Sequence, residues 1–114
     1  MHTYNIPDRV KGTTFKGIQF TLKNSVTNAP LNLTDTQVKL QFRRGSEIGL
    51  VKKELALGTG ITLTNAVGGV LVLDPFLVTW DAGLYYYDLK ITHPTNVIDV
   101  YINGTFRVLQ NVTD

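Results

Sequence analysis

The chain has 114 residues, 43% of them hydrophobic, and 11 lysines and arginines against 9 aspartates and glutamates give a formal net charge of +2. That length suits one domain spanning 1–114, with enough apolar mass to bury a core without staples. The absence of cysteine excludes disulfides, thiolate metal sites and cysteine nucleophiles, and so slight a charge imbalance argues against nucleic acid as a partner.

The first nine residues, Met1 to Arg9, lack the apolar centre of a signal peptide, so the chain reads as mature and soluble from its start. No later run approaches the about 20 apolar residues that a membrane helix needs, and no membrane partner is expected. Thr14 to Lys23 places Ile18, Phe20 and Leu22 on one side of a strand. Phe15 is out of phase with them, which predicts a bulge at Gly17. Asn24 to Pro30 is turn chemistry, and Leu31 to Thr34 is a short connection. Val38, Leu40 and Phe42 alternate with Lys39, Gln41 and Arg43, which demands one dry and one wet face, and Arg44-Gly45-Ser46 closes that strand.

Ile48 to Leu57 reads as extended, with Lys52, Lys53 and Glu54 as the charges that guard an edge strand. Gly58-Thr59-Gly60 turns into Ile61 to Thr64. Gly68-Gly69 leads to Val70-Leu71-Val72-Leu73, a continuous apolar run that suggests burial on both faces. Asp74-Pro75 ends that run, and Phe76 to Trp80 is predicted as one helical turn that drops Trp80 into the core.

The next stretch organises the rest. From Asp81 the chain makes a tight turn and enters a strand in which Tyr85, Tyr87, Leu89 and Ile91 share one face, and Leu84, Tyr86, Asp88 and Lys90 the other. An Asp, a Gly and a Tyr at the mouth of a strand resemble the tyrosine corner of immunoglobulin-like sandwiches, where the hydroxyl bonds back to the loop and a core residue follows two positions on. Trp80, Asp81, Gly83, Tyr85 and Tyr87 are therefore the residues expected to determine the fold, with Tyr87 in place of the usual cysteine. His93 to Asn96 turns into a last strand, Val97 to Val108, in which Gly104 predicts a bulge or bend. The expectation is an all-β protein, an immunoglobulin-like antiparallel β-sandwich of about seven to nine strands.

Residues with chemical potential are sparse. The two histidines, His2 and His93, sit at no metal-ligand spacing, and His93 reads as a surface turn residue, so no metal or cofactor is expected. Ser25 and Ser46 lack the context of an exposed nucleophile. Asp81 is expected to bond turn amides and Asp88 to lie on the wet face, although a glycosidase-like carboxylate pair stays open. The paired glycines are hairpin glycines, not phosphate loops, and the sequons at Asn32, Asn103 and Asn111 are what chance gives in a chain rich in Asn and Thr. Lys39, Arg43, Arg44, Lys52 and Lys53 cluster in sequence with Glu47 and Glu54 among them, which suits either a solvated face or an anionic partner. Tyr86 either packs across the strands, against Tyr101 or a neighbour, or offers a contact to a partner. Tyr86, Arg43, Arg44, Lys52 and Lys53 form the candidate interaction surface.

Motifs in chain order then suggest a family. Lys11-Gly12-Thr13-Thr14-Phe15, Pro30-Leu31-Asn32-Leu33-Thr34, Val38 to Arg44, Ala82-Gly83-Leu84-Tyr85-Tyr86-Tyr87-Asp88-Leu89, Gly104-Thr105-Phe106-Arg107-Val108 and Val112-Thr113 together resemble the N-terminal domain of phage baseplate upper proteins. The likeness spans nearly the whole chain, although Thr13 and Asn32 stand where that family usually has Asp. Family members also continue into a region that carries other components, whereas this chain stops after the sandwich. The resemblance therefore implies the broader role of a small structural protein of a tailed-phage virion, in a tail, neck, baseplate or capsid-fibre position. It implies assembly in the host bacterial cytoplasm, contacts with other virion proteins, a homo-oligomer and no catalysis. The alternative is a carbohydrate-binding or adhesion sandwich that uses Tyr86, Trp80 or Tyr101 as stacking platforms; a buried Trp80 would count against that platform.

Overall fold

The computed structural model describes residues 2–24, 26–46 and 48–111. An N-terminal strap forms β1 (His2–Thr3) and β2 (Ile6–Val10), followed by β3 (Thr14–Phe15) and β4 (Ile18–Thr21). Then come β5 (Gln37–Arg44), β6 (Val51–Leu57), β7 (Gly60–Asn65) and β8 (Val70–Leu73). The chain ends with β9 (Phe76–Leu77), β10 (Gly83–Thr92) and β11 (Ile98–Leu109). The described residues are all strand, turn and loop, without a helix.

Alternation decides the central strands. Val38, Leu40 and Phe42 of β5, and Tyr85, Tyr87, Leu89 and Ile91 of β10, are buried while their neighbours face outward. Strand pairing runs β1-β11-β10-β5-β6-β7-β8-β4, with β2 also on β11, and β3 pairs with β9 in a separate small sheet. The large sheet curls until its two ends meet: Tyr4 in the strap packs edge-on against Phe20 of β4, 5.7 Å between ring centres. Inside the curl Phe42, Trp80, Tyr85 and Phe106 join Ile61, Leu71 and Leu73 in one buried cluster. Full burial of each aliphatic or aromatic side chain stabilises the fold by about 1.5–3 kcal/mol, which makes this cluster its main support.

The sheet is mixed, not antiparallel. β1 and β2 run parallel to β11, and β6 runs parallel to β7 through Ala56↔Gly60 and Leu57↔Ile61. Turn residues announce a change of direction, but not which edge the chain then meets, so these pairings are invisible to periodicity. The expected helical turn at Phe76 is strand β9. Its residues pair with Thr14 and Phe15, the rings of Phe15 and Phe76 lie 4.9 Å apart, and Val78 exchanges backbone bonds with Gly12 and Thr13. Pairing with Thr14 and Phe15, with the Phe15 ring against Phe76, holds the segment extended in place of a helical turn. Trp80 still enters the core, only 6% exposed.

Gly17 does not bulge one long strand; at φ +91 it separates β3 from β4, and its Cα lies under the Leu73 carbonyl where a Cβ would sit 2.7 Å from that oxygen. Gly104 is not the bulge in β11 either. The register passes from Leu89↔Ile102 to Lys90↔Val100, which leaves Tyr101 as the extra residue. In β8, Leu71 and Leu73 are buried but Val70 and Val72 only half-buried, so burial on both faces is partial. The strand predicted from Ile48 begins only at Val51. Eleven strands replace the smaller number expected because β1, β3 and β9 are two residues long, too short to show alternation.

Candidate functional site

The same alternation that buries Tyr85 and Tyr87 turns Tyr86 and Asp88 outward. Register then fixes their neighbours. Tyr86 lies between Arg43 of β5 and Thr105 of β11, and Asp88 lies between Gln41 and Asn103. The strap raises a wall along β11: Thr3 Oγ1 donates to Asn103 Oδ1 at 2.8 Å, and the Thr105 N–H and hydroxyl both donate to Asn5 Oδ1, at 3.2 and 3.1 Å. A groove of about 390 Å³ results, open to solvent, with Tyr86, Asp88 and Arg43 in it.

Most of its polar groups bond one another. Arg43 donates from Nη1 to the Gly49 carbonyl and from Nη2 to Gln41 Oε1, both at 2.9 Å, and Gln41 Nε2 donates to Glu54 Oε2 at 2.8 Å. The Tyr86 hydroxyl and the Asp88 carboxylate have no partner among the described residues. Tyr86 also lacks the expected ring contact with Tyr101, whose bulged position takes it to His93, 3.1 Å from hydroxyl to Nε2.

The candidate interaction surface therefore divides. Tyr86 and Arg43 share the groove. Arg44 instead bridges the end of β5 to the corner, with Nη1 3.3 Å from Asp81 Oδ2 and Nη2 donating to the Ala82 carbonyl at 3.3 Å. Lys11 Nζ lies 3.6 Å from Asp81 Oδ1. The Asp81 carboxyl is held below the usual carboxylate range by Lys11 first, then Lys52 and Arg44. Lys52 is the extra residue where the register slips from Phe42↔Lys53 to Arg43↔Val51. Lys53, opposite inward-facing Phe42, places its ammonium 4.9 Å from the centre of the Phe76 ring, a cation–π contact.

The fold-determining residues fall as follows. Tyr85 donates its hydroxyl to the Asp81 carbonyl at 2.7 Å, the hydrogen bond of a tyrosine corner. The Asp81 side chain does not bond turn amides as expected; it pairs with Lys11 and Arg44. Gly83 is the extended first residue of β10, opposite Val108. Tyr87 donates to the Tyr4 carbonyl at 2.6 Å. Trp80 packs against Phe42 and Tyr85 at 5.0 Å each and against Phe106 at 5.7 Å, which removes it as a surface platform. His93 is half-buried with Nε2 3.7 Å from Asp99 Oδ2, and no cluster with metal-ligating potential occurs among the described residues. Ser25, Glu47 and the Val112-Thr113 motif lie outside the described residues.

Sequence reading missed the strap residues Thr3 and Asn5, since nothing local says that they lie beside residues about a hundred positions on. It also passed over Ile48 and Leu50 at the β5–β6 tip, which are 92% and 87% exposed; two aliphatics flanking Gly49 were the available signal. Compared with known proteins, the chain matches no family model and no curated protein.

Proposed function

We propose that this protein is a non-enzymatic structural component of a tailed-phage virion, a domain of immunoglobulin-like sandwich architecture that works through protein–protein contact. Two things support the architecture. The strands fall into one group, β1 and β2 on β11 followed by β10-β5-β6, and another, β7-β8-β4, and strand pairing links the two through two residue pairs between β6 and β7. The Tyr85–Asp81 hydrogen bond stands at the place such folds use it. The phage reading rests on the run of motifs from Lys11-Gly12 to Gly104-Thr105-Phe106.

The observation that carries the assembly role is the β5–β6 tip. Ile48, Leu50 and Val51 stand together in water, close in sequence to Arg44 and Lys52. Such apolar exposure suits a contact with a partner. Mass spectrometry of virions from the encoding phage is expected to find the chain in several copies per particle, and sedimentation to find the purified protein self-associating. Leu50→Asp is expected to abolish that association while stability stays within about 0.5 kcal/mol, since the residue is exposed. A chain missing from particles and monomeric at every concentration overturns the reading.

A further inference from the structure

We propose that the groove over Tyr86 and Asp88 is a binding site for a neutral saccharide, independent of the assembly contacts at the β5–β6 tip. The groove leaves the Tyr86 hydroxyl and the Asp88 carboxylate without partners among the described residues, and Arg43, with two of its five N–H groups bonded to Gly49 and Gln41, keeps donors to spare. Asp88 can only accept hydrogen bonds and Arg43 can only donate them, whereas the Tyr86 hydroxyl does both. They occupy two successive rungs of one outward face, Arg43 beside Tyr86 and Gln41 beside Asp88. Arg43 and Asp88 are thus diagonal neighbours, about 7–8 Å apart in an ordinary sheet, and they form no ion pair with each other. A ligand between them must accept at one end and donate at the other. Sugar hydroxyls do both.

Charge narrows the choice. An anionic ligand would meet the Asp88 carboxylate, which forms no ion pair among the described residues. A cationic one would meet Arg43, and beyond Asp88 the next rung is Lys90 beside Lys39. Neutrality with many hydroxyls fits both ends. Tyr86 is half-buried, stands in register between Arg43 and Thr105, and makes no ring contact among the described residues. A half-buried aromatic with one apolar face and one polar tip is suited to the C–H face of a pyranose. The groove, at about 390 Å³, lies in the range of small-ligand sites. The strap closes its far side with the amide groups of Asn5 and Asn103, both already oriented by hydrogen bonds.

The test applies the full-length chain to an array of neutral and acidic glycans, then measures the best binder by saturation-transfer NMR. The expected result is a neutral glycan bound with millimolar affinity and saturation of its ring protons from Tyr86. Tyr86→Ala and Asp88→Asn, each checked for native unfolding behaviour, should weaken it by roughly tenfold, the loss of one good contact. Preference for acidic glycans, no binding to any, or binding unchanged in both variants overturns the proposal. So does a Tyr86→Ala protein that loses self-association while the parent takes no sugar, since the face would then belong to a second copy.

Discussion

Tyr85 and Tyr87 share a face of β10 but tie down different things. The Tyr85 hydroxyl closes a local loop onto Asp81, whereas Tyr87 reaches the Tyr4 carbonyl 83 positions away and so fastens the strap to the sheet. Burial pushes both phenols above the ordinary tyrosine range, most strongly Tyr87, with Tyr4 adding to the effect there. The sign of the pH effect follows. Above about pH 10 the unfolded chain releases these protons and the folded chain keeps them, so stability falls as pH rises. Tyr87→Phe should lower stability by about 1 kcal/mol at neutral pH, the net worth of one hydrogen bond. It should also make the alkaline decline shallower than in the parent, as read from urea midpoints between neutral pH and pH above 10. An equally steep decline would mean that Tyr87 is not the buried phenol responsible. The ring's burial was legible from alternation alone; its partner was not, because no local pattern points from residue 87 to residue 4.

At the scale of elements, Gly104 explains why the strap lies where it does. A Cβ built there would sit 1.9 Å from the Tyr4 carbonyl oxygen and 3.1 Å from the Tyr87 ring, so a side chain and the strap compete for one place. Sequence reading saw the glycine and inferred a bend; the same missing side chain serves a close approach instead. Gly104→Ala should destabilise the protein by roughly 1–3 kcal/mol, the cost of overpacking. Amide exchange should rise first at Tyr4 and Ile6 of the strap and at Thr105 and Phe106 beside it, leaving β5 and β8 protected. Uniform loss of protection across all strands would instead tie the strap to the global transition. β5, β10 and β11 were readable because eight or more residues of alternation specify a face. β1, β3 and β9 were not, since two-residue strands exist only through their partners, as Phe15 and Phe76 do.

The whole molecule is organised by its two ends. β1 and β2 lie along β11 from His2↔Ile102 to Val10↔Leu109, so the strap both covers that edge and contributes buried Ile6 to the core. Val51 to Leu55, the stretch of β6 that β7 does not pair, is blunted differently, by the bulged Lys52 and by Lys53. Covering an edge with distant chain requires a long loop to close, but the entropy of closure grows only slowly with length, so the arrangement is thermodynamically mild. It ties the edge to the core. Deleting residues 2–10 should therefore do two separable things. Loss of Ile6 and of the Tyr87 anchor should lower stability by several kcal/mol, about what removing one large core side chain costs, and should shift a single urea transition to lower midpoint. The bared β11 edge should then pair with another chain, giving association that Leu50→Asp does not suppress because it arises at the edge and not at the β5–β6 tip. Sedimentation of the truncated protein with and without Leu50→Asp distinguishes the two routes. A truncated protein that unfolds at the parent's midpoint would show that the strap lies on the sheet without supporting it.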